Sequence, residues 1–179
     1  MKNIEERNEI KNLASLVLGT LQNAGIDAVL AGGSCVSIYS KGKYASGEPV
    51  FAVNAKIEDI EEALEPIGFK KAPGAYFEKY ECGLVLEFQP LAAALGKVSH
   101  SRKSGVPRVA TGNIQILSRT DCIKVDLAEF FLRKDRVSLE QSVQAAKSGI
   151  FDLKEVERWS KHEGHFEKLR EFIAELGKK

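Results

Sequence analysis

Between Asn3 and Asn23 the apolar residues Ile10, Leu13, Val17 and Leu21 recur at helical spacing, which predicts an amphipathic helix that Gly25 stops. The pattern then changes. Ile26 to Ala31 is an apolar run broken only by Asp27, the mark of a buried strand; it enters Gly32-Gly33-Ser34, and Cys35 to Tyr39 reads as the helix that follows. Pro49 to Val53 is a second strand, with Pro49 marking its start or an edge because proline has no N–H for the ladder. Ile60, Leu64 and Ile67 set a helix over Ile57 to Ile67, closed by Gly68. Ala75 to Lys79 and Leu84 to Gln89 read as paired strands around the Glu81-Cys82-Gly83 turn, and Asn113 to Leu117 returns to the same sheet.

From Ser118 onward the pattern is helical. Ser118 caps with Asp121, and Ile123, Leu127, Phe130 and Phe131 form the stripe to be buried. Asp152 with Glu155 repeats the cap ahead of Leu153, Val156 and Trp159, and Phe166, Leu169, Phe172, Ile173 and Leu176 mark a last helix. These aromatics suit a core better than a base-stacking platform. The chain thus reads as α/β (α+β): a mixed sheet with flanking helices over 1–117, and a helical segment over 118–179 packed on it.

At 179 residues, with 44% hydrophobic and 28% charged positions, the chain can bury one core and is not a disordered sequence. A formal net charge of +1 gives no broad electrostatic case for nucleic acid or an anionic membrane, so any such binding must be local. The start is polar and acidic and no apolar run approaches a membrane span, so the expectation is a cytoplasmic protein without an anchor. Cys35, Cys82 and Cys122 are odd in number, far apart and set in apolar segments, which predicts reduced core thiols; His100, His162 and His165 make no zinc spacing with them. The stretch from Lys97 to Arg108 carries Lys97, His100, Arg102, Lys103 and Arg108 among serine, glycine and proline. It is either a solvated loop or a contact to phosphates of a nucleotide or RNA.

The Gly32-Gly33-Ser34 turn is the first candidate site. Paired glycines let backbone approach a ligand, and the N–H groups and positive end of a following helix favour an anion, with the Ser34 hydroxyl as a further donor. The same turn also serves as a plain tight connection. Between Ala28 and Ile57 the sole acidic side chain is Glu48.

In order along the chain, Gly32-Gly33-Ser34, then Tyr39, Tyr44 and Ser46, the strand Pro49-Val50-Phe51-Ala52-Val53, and Leu84-Val85-Leu86-Glu87-Phe88 resemble the nucleotidyltransferase superfamily with the DNA polymerase beta-like fold. Small prokaryotic members, including those of toxin–antitoxin loci, are the most similar. Thr120-Asp121-Cys122-Ile123-Lys124, Asp135-Arg136 with Ser138-Leu139-Glu140-Gln141, and Glu157-Arg158-Trp159-Ser160 extend the resemblance over most of the chain. It implies that the glycine-serine turn holds a nucleotide triphosphate, with Gly32, Gly33, Ser34 and Lys124 as binding residues. It also implies that two carboxylates two positions apart on the next strand, and a third on a later neighbouring strand, bind magnesium. Such carboxylates are the hard oxygen ligands nucleotidyl transfer needs.

On this chain Glu48 falls at the first carboxylate position, Val50 at the second and Glu87 at the third. Glu48 and Glu87 are therefore the implied catalytic and metal residues. Val50 cannot bind a metal, Glu48 is a methylene longer than the usual aspartate, and Lys124 is followed by Val125 and Asp126 where relatives carry an acid and an arginine. Glu48 can equally be a loop carboxylate, and Lys124 a solvated helix residue. The expectation is a diverged protein, a pseudoenzyme with weak or absent magnesium binding. It would retain nucleotide binding or a regulatory role towards a protein or RNA partner, as in a toxin–antitoxin pair. The alternative is a working magnesium-dependent enzyme that uses Glu48 and Glu87 to transfer a nucleotide to a protein, RNA or small-molecule hydroxyl. A structural or interaction module is a third class.

Overall fold

The computed structural model describes residues 2–41, 44, 47–91, 108–111 and 114–178, with the backbone alone for 2–8 and 108–111. Helix α1 (Lys2–Asn23) buries Val17 and Leu21 completely, and the chain turns at Gly25, φ +75°, into strand β1 (Ala28–Ala31). Helix α2 (Gly32–Tyr39), strand β2 (Val50–Val53) and helix α3 (Ile57–Leu64) follow, the last running into a 3-10 turn at Glu65–Ile67. Strands β3 (Lys70–Lys71), β4 (Tyr76–Lys79) and β5 (Leu84–Pro90) form a meander, and β6 (Arg108–Thr111) with β7 (Ile114–Leu117) a hairpin. Four helices complete the chain: α4 (Arg119–Arg133), α5 (Arg136–Lys147), α6 (Leu153–His162) and α7 (Phe166–Leu176).

The described strands form one mixed sheet in the order β3-β4-β5-β2-β1-β7-β6. β1 runs antiparallel to β2 and parallel to β7, while β2 and β5 are parallel. All four residues of β1 are buried, as its unbroken apolar sequence requires of a strand inside the sheet. Val29, Phe51 and Leu86, on three adjoining strands, are all fully buried. Phe51 stacks on Phe88 at 5.3 Å between ring centroids, and Phe77 meets Phe88 edge-on at the same distance. Burying each such ring contributes roughly 1.5–3 kcal/mol.

The caps read from the sequence are present. Ser118 Oγ accepts from the Asp121 N–H at 3.1 Å, and an Asp152 carboxylate oxygen accepts from the Glu155 N–H at 3.0 Å. Helix α4 packs on α2, α5 and β7, and a single apolar core runs from Ala14 to Phe172 through the sheet and the helical segment.

The structure corrects several expectations. Helix α2 begins at Gly32, not Cys35, so the glycine turn is the first turn of the helix itself. Two strands carry no apolar signal: β3 is a pair of exposed lysines, and β6 begins at Arg108, the end of the basic stretch. Residues 97–107 of that stretch, Ser46 and Asn113 lie outside the described residues. Cys35 and Cys122 are buried free thiols, but Cys82 is exposed, on the 3-10 turn Tyr80–Cys82 that links β4 and β5. Phe166 and Ile173 of α7 are also exposed, since Leu169 and Phe172 already fill the contact with the core. No helix among the described residues is long and apolar enough to cross a membrane.

Candidate functional site

Strand register brings the predicted residues together. Val50 of β2 lies opposite Ala31 of β1 on one side and beside Glu87 of β5 on the other. Residues paired across a sheet project to the same face, and the Phe51–Phe88 stack occupies one face, so Val50 and Glu87 share the other. Pro49 has no N–H to offer, yet its carbonyl accepts from the Glu87 N–H at 2.9 Å, which holds Glu48 at the end of β2 next to Glu87. The two carboxylates feel each other. Burial first, then the charges of Glu48 and of Glu129 on α4, raises the Glu87 carboxyl above its ordinary range, while Arg133 pulls it down. Glu129 and Arg133 form an ion pair at 3.1 Å one helical turn apart.

The glycine turn closes the other end. Gly32 has φ +55°, a left-handed conformation that lets the chain pivot from β1 directly into α2 without a Cβ penalty. A Cβ placed there would stand 3.6 Å from the Val50 side chain, so the aliphatic group at the second carboxylate position packs against the turn. The N-cap residue Ala31 contributes no side-chain hydrogen bond to the first turn of α2. Gly32, Gly33 and Ser34 are themselves buried. Beneath them the Cys35 thiol donates to the Leu30 carbonyl at 2.9 Å, and the Cys122 thiol of α4 reaches the Gly32 carbonyl at 3.9 Å.

Lys124 is not a solvated helix residue. Its ammonium is 3% exposed and is held by Asp121 at 2.6 Å and Glu155 of α6 at 3.4 Å, where it ties α4 to α6. Tyr39 and Tyr44 act as struts. The Tyr39 hydroxyl donates to the Leu117 carbonyl at 2.6 Å with the Arg119 guanidinium over its ring at 4.4 Å, and the Tyr44 hydroxyl accepts from Gln141 at 2.9 Å.

Three residues on α4 were not read as site residues: Asp126, Glu129 and Arg133. They follow Cys122 at helical spacing along one stripe, and that spacing was the available signal. Asp126, one turn beyond Cys122, is 3% exposed, and its Oδ2 has no hydrogen-bond partner among the described residues. Burial, then the nearby charges of Asp135 and Glu129, pushes its carboxyl well above the ordinary range. The acid that replaces the expected arginine is thus harder to ionise than an exposed carboxyl.

Magnesium needs near-octahedral oxygen ligation. Glu48 and Glu87 supply two of the three carboxylates the resemblance requires, and Val50 fills the place of the third. Among the described residues no three His, Cys, Asp or Glu side chains come close enough to hold a metal ion.

The chain matches no protein-family model and no curated protein. Its fold does match solved structures. One is an antigenic nucleotidyltransferase-like protein from Paracoccidioides brasiliensis, 12% identical, with a TM-score of 0.61 over 94% of this chain and 92% of that one. Another is the antibiotic-resistance factor ANT(2'')-Ia, 10% identical, with a TM-score of 0.58 over 94% of this chain and 98% of that one. The fold is therefore nucleotidyltransferase-like.

Proposed function

We propose that this chain is a diverged nucleotidyltransferase-fold protein in which transfer is weak or lost, and which works through nucleotide binding or a regulatory contact, as in a toxin–antitoxin-like pair. The observation that carries the reading is Val50. Its aliphatic side chain lies between Gly32 and Glu87, at the strand position where the superfamily places a metal-binding carboxylate. The helix opened by Gly32-Gly33-Ser34 still offers backbone donors and a positive end to a phosphate, and this does not depend on a carboxylate at position 50. Because the turn is buried, docking a triphosphate requires its cover to move. The solution structure of ANT(2'')-Ia is described as showing substrate-regulated conformation dynamics, and a comparable motion here would uncover the turn.

A second reading is a magnesium-dependent nucleotidyltransferase acting on a protein, RNA or small-molecule hydroxyl. It is favoured by one observation, the Glu48 charge acting on the half-buried Glu87 carboxyl. Titration of the four ribonucleoside triphosphates into the full chain, with and without magnesium, separates the two. Binding that does not need magnesium and is abolished by Gly33→Val, yet nearly unchanged in Val50→Ala, supports the first. Binding that appears only with magnesium and fails in Glu48→Gln supports the second.

A further inference from the structure

Outside the turn, the apolar face of α1 runs past the core it serves. Val17 and Leu21 are fully buried, but Ile10, Leu13 and Leu16 continue beyond the sheet, and Leu16 is 50% exposed. Across from them Pro49 and the first residues of β5, Leu84 and Val85, complete a groove of about 780 Å³, with Leu84 36% exposed. That volume is within the range of small-molecule sites, roughly 300–1,000 Å³. The charged side chains on its described lining are Glu9 and Glu48, and no lysine, arginine or histidine is among them.

We infer that this groove is a binding site for a small amphiphilic amine, its apolar body against Leu13, Leu16 and Leu84 and its ammonium at Glu48. An apolar floor excludes a highly charged ligand, since desolvating several charges there would cost more than the contacts return. The Glu9 and Glu48 carboxylates on its lining disfavour an anion and favour a single cationic head. The site does not depend on nucleotide binding at the glycine turn, because none of the turn's three residues lines the groove.

The test uses three probes of one shape on the full chain: 4-phenylbutylamine, 4-phenylbutanol and 4-phenylbutyrate, followed by amide chemical-shift titration. The expected order is amine, alcohol, carboxylate, with the amine about tenfold tighter than the carboxylate and shifts centred on α1, Glu48 and the start of β5. Glu48→Gln should weaken the amine roughly two- to fivefold, the scale of one solvent-accessible ion pair, and leave the alcohol unchanged. Leu16→Arg, at an exposed position that folding does not require, should weaken all three probes and the amine most. Equal affinity for the three probes, shifts centred elsewhere, no binding at millimolar concentration, or an unaltered amine affinity in Glu48→Gln would each overturn the assignment. A triphosphate titration run alongside distinguishes failure here from failure of the nucleotide reading.

Discussion

Replacing Asp126 with asparagine should change how stability depends on pH, in a direction the structure fixes. The side chain is buried, its Oδ2 lacks a partner among the described residues, and Asp135 and Glu129 face it with like charge. Its folded-state value is therefore raised above the unfolded one. Below the unfolded value, about 3.9, both states hold the proton and the group is neutral in the balance. Above it the unfolded chain releases the proton while the folded chain keeps it, so stability falls with rising pH until the folded value is passed. The slope is at most about 1.4 kcal/mol per pH unit. Glu87, also raised, adds the same sign, whereas Asp135, lowered first by its hydrogen bond from the Ser138 hydroxyl, contributes stability that is lost as pH falls through its folded value. Both are common to wild type and variant, so the difference between the two proteins isolates Asp126. Urea unfolding from pH 4.5 to 7.5 should show Asp126→Asn gaining on wild type by up to about 1.4 kcal/mol for each unit climbed, or about 3–5 °C in Tm for a chain of this size. Parallel stability curves, offset by a constant, would refute the claim that burial makes this carboxyl harder to ionise.

Three further outcomes follow from the geometry. Gly32→Ala meets only an ordinary 3.6 Å contact at Val50, so its cost is the left-handed backbone alone, on the order of 1–2 kcal/mol in urea unfolding. Ser118→Ala removes the oxygen that caps the Asp121 N–H and should cost about 1 kcal/mol, or about 2–4 °C in Tm by calorimetry. Val50→Asp, best combined with Glu48→Asp, sets a carboxylate beside Glu87 and should raise magnesium affinity measured by isothermal titration; no gain would mean that Pro49 has shifted the strand away from a metal-binding geometry.

Much of the fold was legible because its signals are local. The Ile60–Leu64 spacing, the Ser118 and Asp152 caps and the apolar run of β1 each specify their element within a few residues. The two missed strands have no such signal: Lys70–Lys71 is an exposed two-residue edge, and β6 exists only through its pairing with β7. Glycine's poor helix propensity hid the true start of α2 at Gly32. At the candidate site, the pairing of Val50 with Glu87 and the charges of Glu129 and Arg133 near Glu87 join residues far apart in sequence, which no local pattern reports. Lys124 shows the reason most clearly: a helical lysine reads as solvated until Glu155, 31 positions away, is brought against it.

Transfer itself is the most direct test of the central claim, that the fold persists with its magnesium chemistry weakened or gone. The purified full chain is incubated with radiolabelled triphosphates and magnesium, together with its own protein surface, RNA and hydroxyl-bearing small molecules as acceptors. Losing metal stabilisation of the transferring phosphoryl group removes several kcal/mol, a rate factor on the order of a thousand or more. The expected result is label at the background of a no-protein control, with Val50→Asp the variant in which any signal first appears. Robust magnesium-dependent labelling of any acceptor by the unmodified protein would contradict it.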